Sequence, residues 1–96
     1  MSEVITAAVA ALTEKMGDDR LEGSAKFIIG DEGSVVIDGI GVRACDIETD
    51  VSLTADVGTF QEILEGTLDP TSAFMAGRLS VDGDMTLAME LGGLLT

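Results

Sequence analysis

The side chains that most often perform catalysis or bind metals are scarce in this chain. It has no histidine and one cysteine, Cys45, among 96 residues. A histidine-based triad or general base is therefore excluded, and a single thiol cannot supply a zinc site. Cys45 follows β-forming residues, so we expect a small, partly buried strand residue, with a nucleophilic thiol as the alternative.

Two short motifs could bind a ligand or an ion. Residues 39–44, GIGVRA, match the G-x-G-x-x-A pattern of dinucleotide sites, but that pattern must open a helix, and here β-forming residues follow. Residues 46–51, DIETDV, begin like a calcium loop, yet Val51 and Val57 stand where such a loop needs glycine and glutamate. We expect a glycine-rich strand connection at the first motif and a solvated strand face at the second.

The charge balance bears on partners and compartment. With 18 acidic and five basic residues, the net charge is −13, which argues against nucleic acid and against unassisted binding to anionic membranes. One cysteine permits no internal disulfide, so a reducing compartment is expected. Residues 1–17 have an early acid, no basic leader and an interrupted apolar run, so we expect a cytoplasmic protein without a signal peptide.

The apolar spacing predicts nine elements. Residues 3–16 show one apolar helical face, with Ser2 as a possible N-cap. A hairpin in 24–39, a short strand in 41–47 and an alternating strand in 50–56 follow. The expected remainder is a helix at 59–65, a short helix from Asp69-Pro70 to Gly77, a strand at 78–83 and a last helix capped by Asp84.

The order α-β-β-β-β-α-α-β-α predicts one α+β domain over residues 1–96, with the helices on one face of the sheet. In the strand at 50–56, Val51, Leu53 and Ala55 are expected to point towards the core. The fifth strand follows two helices, which makes it a candidate for parallel pairing with an earlier strand.

Residues 66–95, GTLDPTSAFMAGRLSVDGDMTLAMELGGLL, carry the most specific pattern. They resemble the C-terminal signature of the sterol carrier protein-2 family. That signature runs Gly-x-Leu-x-Pro, here 66–70, then Ala-Phe-Met-x-Gly-Lys-Leu, here 73–79 with Arg78 for lysine. A turn glycine, here Gly83, and a Leu-Ala-x-x-Leu helix, here 87–91, complete it. Residues 50–66 also resemble the strand-then-helix segment of the family.

The resemblance implies a five-stranded, mostly antiparallel sheet covered by helices, with an apolar tunnel between them. It implies binding of fatty acids, fatty acyl-CoA, phospholipids or sterols, with no catalysis and no cofactor. The candidate lipid-binding residues are Phe60, Leu64, Phe74, Met75, Leu79, Met85 and Met89. Plain core packing is the alternative for each of them, although methionine suits a surface that repacks around different chains.

Two other functions remain open. The domain could be an accessory or scaffold module whose groove receives an isoprenoid or lipid intermediate or a partner enzyme, or a minor enzyme using Cys45 or a carboxylate. The first helix is nearly neutral, Glu90 stands where the family often has lysine, and the chain lacks the peroxisomal C-terminal tripeptide. We therefore expect no strong membrane binding and no peroxisomal residence.

A tunnel in so small a domain has an energetic cost. A ligand pocket measures at least ~300 Å³, and a sealed void of that size costs about 7 kcal/mol at ~24 cal/mol per Å³. The total stability of a domain is only ~5–15 kcal/mol. We therefore expect the space either to collapse when it is empty or to carry a lipid.

Overall fold

The computed structural model describes residues 3–17 and 21–95. These residues form helices and strands in the predicted order, with the bounds α1 (Glu3–Met16), β1 (Ala25–Ile29), β2 (Gly33–Ile37), β3 (Val42–Ala44), β4 (Val51–Ala55), α2 (Val57–Glu65), α3 (Pro70–Met75), β5 (Leu79–Gly83) and α4 (Met85–Leu95). The predicted fold class, α+β with a five-stranded sheet, is confirmed. Ser2, the possible cap of the first helix, lies outside the described residues.

The five strands form one sheet in the order β3-β2-β1-β4-β5. Three neighbouring pairs are antiparallel, and β1 with β4 is the parallel pair. The expected parallel pairing of the fifth strand is therefore wrong. Ala55 at the end of β4 lies opposite Leu79 at the start of β5, so the chain leaves the sheet through α2 and α3 and re-enters it at the same end.

The parallel pair requires a connection from the edge strand β3 to β4, and residues 45–50 make it. Lys26 and Phe27 are neighbours in β1, so their side chains point to opposite faces of the sheet. Phe27 meets the ring of Phe60 in α2, with the ring centroids 5.1 Å apart. Lys26 Nζ donates to Asp46 Oδ1 at 3.0 Å, so the connection crosses the face opposite the helices.

Each of the last three helices begins at an aspartate whose carboxylate accepts a backbone N–H of the first turn: Asp56 from Thr59 at 2.6 Å, Asp69 from Thr71 at 2.7 Å and Asp84 from Thr86 at 2.8 Å. The hydrogen bond from the Thr59 N–H favours the charged carboxylate and holds the pKa of Asp56 below its ordinary value. Because Asp56 is the cap, α2 begins at Val57, two residues before the predicted start.

The core lies between the helices and one face of the sheet. On that face the parallel register sets Phe27 beside Leu53, and both side chains are buried. The buried side of α1 packs on β2 and β3, whereas α3 and α4 pack on the half of the sheet made by β4 and β5. No helix within residues 3–17 and 21–95 has the length and apolar character needed to cross a membrane.

Candidate functional site: an apolar groove

A groove of about 300 Å³ lies between α3, α4 and the sheet. Its floor consists of side chains from the strands: Phe27, Leu53, Leu79 and Val81. Its two walls come from the helices, namely Pro70, Thr71, Phe74 and Met75 of α3, and Met85, Ala88, Met89 and Gly92 of α4. Ile63 of α2 and Leu91 of α4 complete the lining.

The local sequence explains why the groove exists. Helix α3 is short because Pro70 fixes its start and Gly77, at φ +79°, follows its end. It buries little besides Ala73, so its larger side chains, Phe74 and Met75, project away from the core. On α4, Met85, Ala88, Met89 and Gly92 recur at helical spacing and form one stripe along the groove.

The mouth of the groove exposes apolar side chains to solvent. Six large hydrophobic side chains are exposed in the described residues, and four of them line this groove: Met75 at 81 %, Met89 at 75 %, Met85 at 45 % and Phe74 at 42 %. Contiguous exposed apolar patches are typical of ligand-binding grooves and of protein interaction sites. The space is open to solvent at Met75 and Met89, so we describe it as a groove.

The open side also changes the energetic expectation. The cost of about 7 kcal/mol applies to a sealed void, in which wall atoms have no contact partners. A groove open to solvent does not carry that full cost. Its remaining cost is the exposure of apolar surface, which a bound apolar chain would cover.

Five of the seven candidate lipid-binding residues lie on the groove: Phe74, Met75, Leu79, Met85 and Met89. The other two do not line it. Phe60 is 1 % exposed and fills the core against Phe27, while Leu64 packs half-buried against the same core. On α2 it is Ile63, between these two positions in the helical stripe, that reaches the groove.

The groove residues that the sequence did not single out are mainly its floor and inner wall. Leu53 and Val81 face each other across β4 and β5, and Ala88 lies on the groove side of α4. In the sequence, Leu53 and Val81 show strand alternation and Ala88 shows helical spacing, which equally describe ordinary core. Only the family signature, which includes Ala88, could have indicated that a residue of this kind lines a ligand site.

The other sequence motifs lie away from the groove. Residues 38–41 form the β2–β3 turn, in which Asp38 and Gly41 exchange backbone hydrogen bonds, so the glycine-rich motif is a strand connection. Cys45 follows β3, half-buried, at the opposite edge of the sheet from β5. Among the described residues, no group of three or more acidic or cysteine side chains could hold a metal ion, and Asp46 pairs with Lys26 instead.

Solved structures share this architecture. The sterol carrier protein domain 2 of Helicoverpa armigera is 26 % identical, and the match covers 96 % of this chain and 85 % of that one with a TM-score of 0.77. The sterol carrier protein-2 of Aedes aegypti in complex with palmitate matches over 100 % and 97 % of the two chains with a TM-score of 0.76. At 20 % identity, the second likeness concerns the fold alone.

The sequence comparisons agree with the structural ones. The hydroxysteroid dehydrogenase-like protein 2 of Xenopus tropicalis is 30 % identical over 92 % of this chain, and the chain spans only 23 % of that protein's length. The model of the SCP-2 sterol transfer family matches residues 7–96. This match covers most of the chain, and with the shared architecture it shows that the chain belongs to the SCP-2 sterol transfer family.

Proposed function

We propose that this protein is a non-catalytic lipid-binding carrier that holds a long apolar chain in the groove between α3, α4 and the sheet. The observation that carries the proposal is the groove itself, with a volume of about 300 Å³ and an almost wholly apolar lining. That volume lies at the lower end of the range for small-molecule sites. Fatty acids, their CoA esters and uncharged lipids all offer a chain that could fill it.

The composition of the lining supports binding rather than chemistry. Within residues 3–17 and 21–95, the groove-lining side chains include no ionisable group and no thiol, and Thr71 carries the one polar side-chain group among them. General acid–base catalysis would need an ionisable group within hydrogen-bond reach of the substrate. Three exposed methionines, in contrast, offer a flexible apolar surface that adapts to different chains.

The relatives support the same proposal. Family membership points to lipid transfer, and in the Aedes aegypti protein a similar fold accommodates palmitate. The dehydrogenase-like relative matches this chain over less than a quarter of its own length, so its name does not carry a dehydrogenase activity over to this chain.

A scaffold role is the second candidate, because the exposed side chains of Met75 and Met89 also offer an apolar surface to a partner protein. A partner enzyme that delivers a lipid intermediate to the groove would cover these two side chains. Native mass spectrometry of the purified protein separates the two roles. A co-purifying lipid supports carriage, whereas a lipid-free protein that forms a stable complex with a partner enzyme supports the scaffold.

A long-chain lipid should raise the melting temperature of the protein. Ligand at a hundredfold excess over Kd stabilises the native state by ~2.7 kcal/mol, which for a domain of this size corresponds to a shift of roughly 10 °C or more. Differential scanning fluorimetry with lipids of several chain lengths measures the shift. A short-chain lipid with the same head group is the control and should have little effect. No shift with any long chain, well above micromolar concentration, would contradict lipid carriage.

A further inference from the structure

None of the described residues that line the groove carries a positive charge for a ligand head group. Of the lining residues that the structure describes, Thr71 alone has a polar side-chain group, a hydroxyl that can donate and accept a hydrogen bond. Such a group can pair with an alcohol or an ester. It cannot neutralise a phosphate or a carboxylate.

The basic side chains in the described part of the chain are directed elsewhere. Lys26 pairs with Asp46 on the far face of the sheet, and Arg43 pairs with Asp38 at the β2–β3 turn. Lys15 lies near the end of α1, the helix that covers the other half of the sheet. The fifth base, Arg20, lies outside the described residues.

Among the basic residues that the structure describes, Arg78 directly precedes Leu79 of the groove floor in the chain. Its guanidinium is paired with the carboxylate of Glu62 on α2. The pair as a whole therefore presents no net positive charge to an anionic head group. Arg78 is therefore a poor anchor for an anion.

The two helix N-termini beside the groove are also occupied. A helix N-terminus attracts anions through its free N–H groups, and α3 and α4 both begin at the groove. The Asp69 carboxylate accepts the N–H groups of Thr71 and Ser72, at 2.7 and 3.4 Å. The Asp84 carboxylate does the same for the first turn of α4. Each cap places a negative charge where an anionic head group would otherwise bind.

We infer that the groove selects long-chain lipids with an uncharged, hydroxyl-bearing head group, such as monoacylglycerols or long-chain alcohols, and discriminates against acyl-CoA. This inference rests on the proposed lipid-binding function and narrows its ligand class. The net charge of −13 acts in the same direction, because like charges repel a polyanionic head group over about a Debye length.

Displacement of the neutral dye Nile red tests the inference. A monoacylglycerol and an acyl-CoA of equal chain length, each below its critical micelle concentration, are titrated at low ionic strength. We expect the acyl-CoA to bind at least tenfold more weakly. The difference in affinity between the two lipids should become smaller as the salt concentration is raised, because the Debye length falls from ~30 Å at 0.01 M to ~3 Å at 1 M.

A pair of charge variants sharpens the test. Thr71→Arg adds a cation on the groove and should bring the acyl-CoA several-fold closer to the monoacylglycerol in affinity. Thr54→Arg makes the same chemical change at an exposed position of β4, on the sheet face opposite Leu53, and should leave the ratio almost unchanged.

The outcomes separate the two proposals. Equal or tighter binding of acyl-CoA at low salt overturns the inference and leaves lipid carriage intact. If Thr71→Arg and Thr54→Arg change the ratio of the acyl-CoA and monoacylglycerol affinities equally, the inference is also overturned. Displacement by none of the lipids overturns lipid carriage and, with it, the selectivity.

Discussion

Val81→Trp should weaken the binding of a long-chain lipid at least tenfold while the protein remains folded. Val81 is half-buried on the groove floor, opposite Leu53 in the β4–β5 pair. An indole at this position would extend into the space of about 300 Å³ that we assign to the ligand. Because tryptophan suits strands and the space is open, the melting temperature should stay within a few degrees of the parent. Dye displacement and thermal unfolding measure the two effects.

Thr54→Trp is the matched control for this experiment. It adds the same indole to the neighbouring strand, but on the exposed face opposite the groove, so ligand affinity should not change. Met89→Trp should have a smaller effect than Val81→Trp, since Met89 is 75 % exposed and a larger side chain there can turn into solvent. A Val81→Trp protein that is folded and binds lipid as tightly as the parent would contradict the groove assignment.

Gly83→Ala should destabilise the domain by about 3 kcal/mol. Gly83 has a backbone φ of +113°, which residues other than glycine rarely adopt. It ends β5 opposite Val51, and a methyl group here would overlap the carbonyl oxygen of Asp50 and lie 3.0 Å from the Val51 Cα. Backbone strain and overpacking each cost ~1–3 kcal/mol, and neither neighbouring backbone atom can move cheaply. Urea denaturation measures the loss.

The control for Gly83 is Gly93, in the last turns of α4. Among the described residues, a methyl group at Gly93 meets no atom within 4 Å outside its chain neighbours and its own helix backbone. Replacing a helical glycine by alanine stabilises a helix by up to ~1 kcal/mol. Gly93→Ala should therefore be neutral or stabilising. Equal stability of Gly83→Ala and the parent would show that the β4–β5 register or the backbone at Gly83 differs from the one described.

Most of the element order could be predicted because it depends on local chemistry. The alternation of Val51, Leu53 and Ala55 follows from the period of a strand, and Asp69 and Asp84 are recognisable as caps from their neighbours alone. The pairing of β5 could not be predicted in this way. It depends on where the chain re-enters the sheet after two helices, which is a tertiary property.

Which single side chains line the groove also could not be predicted from local sequence. The spacing on α2 places Phe60, Ile63 and Leu64 on one helical face, and no local rule decides which of them faces the core and which the groove. Packing decides it, since Phe60 meets Phe27 and Ile63 is left at the groove. Met75 and Met89 were identifiable as candidates only through the family pattern, because methionines at helical spacing are equally common in a core.

The most direct test of the central claim uses the methionines themselves. Met75, Met85 and Met89 line the groove, whereas Met16, the last residue of α1, is 3 % exposed and does not line it. With isotope-labelled methionine methyl groups, an NMR titration with a monoacylglycerol should shift or broaden the three groove signals and leave Met16 unchanged. Lipid binding that leaves those three signals in place, or that moves Met16 instead, would contradict the assignment of this groove as the lipid site.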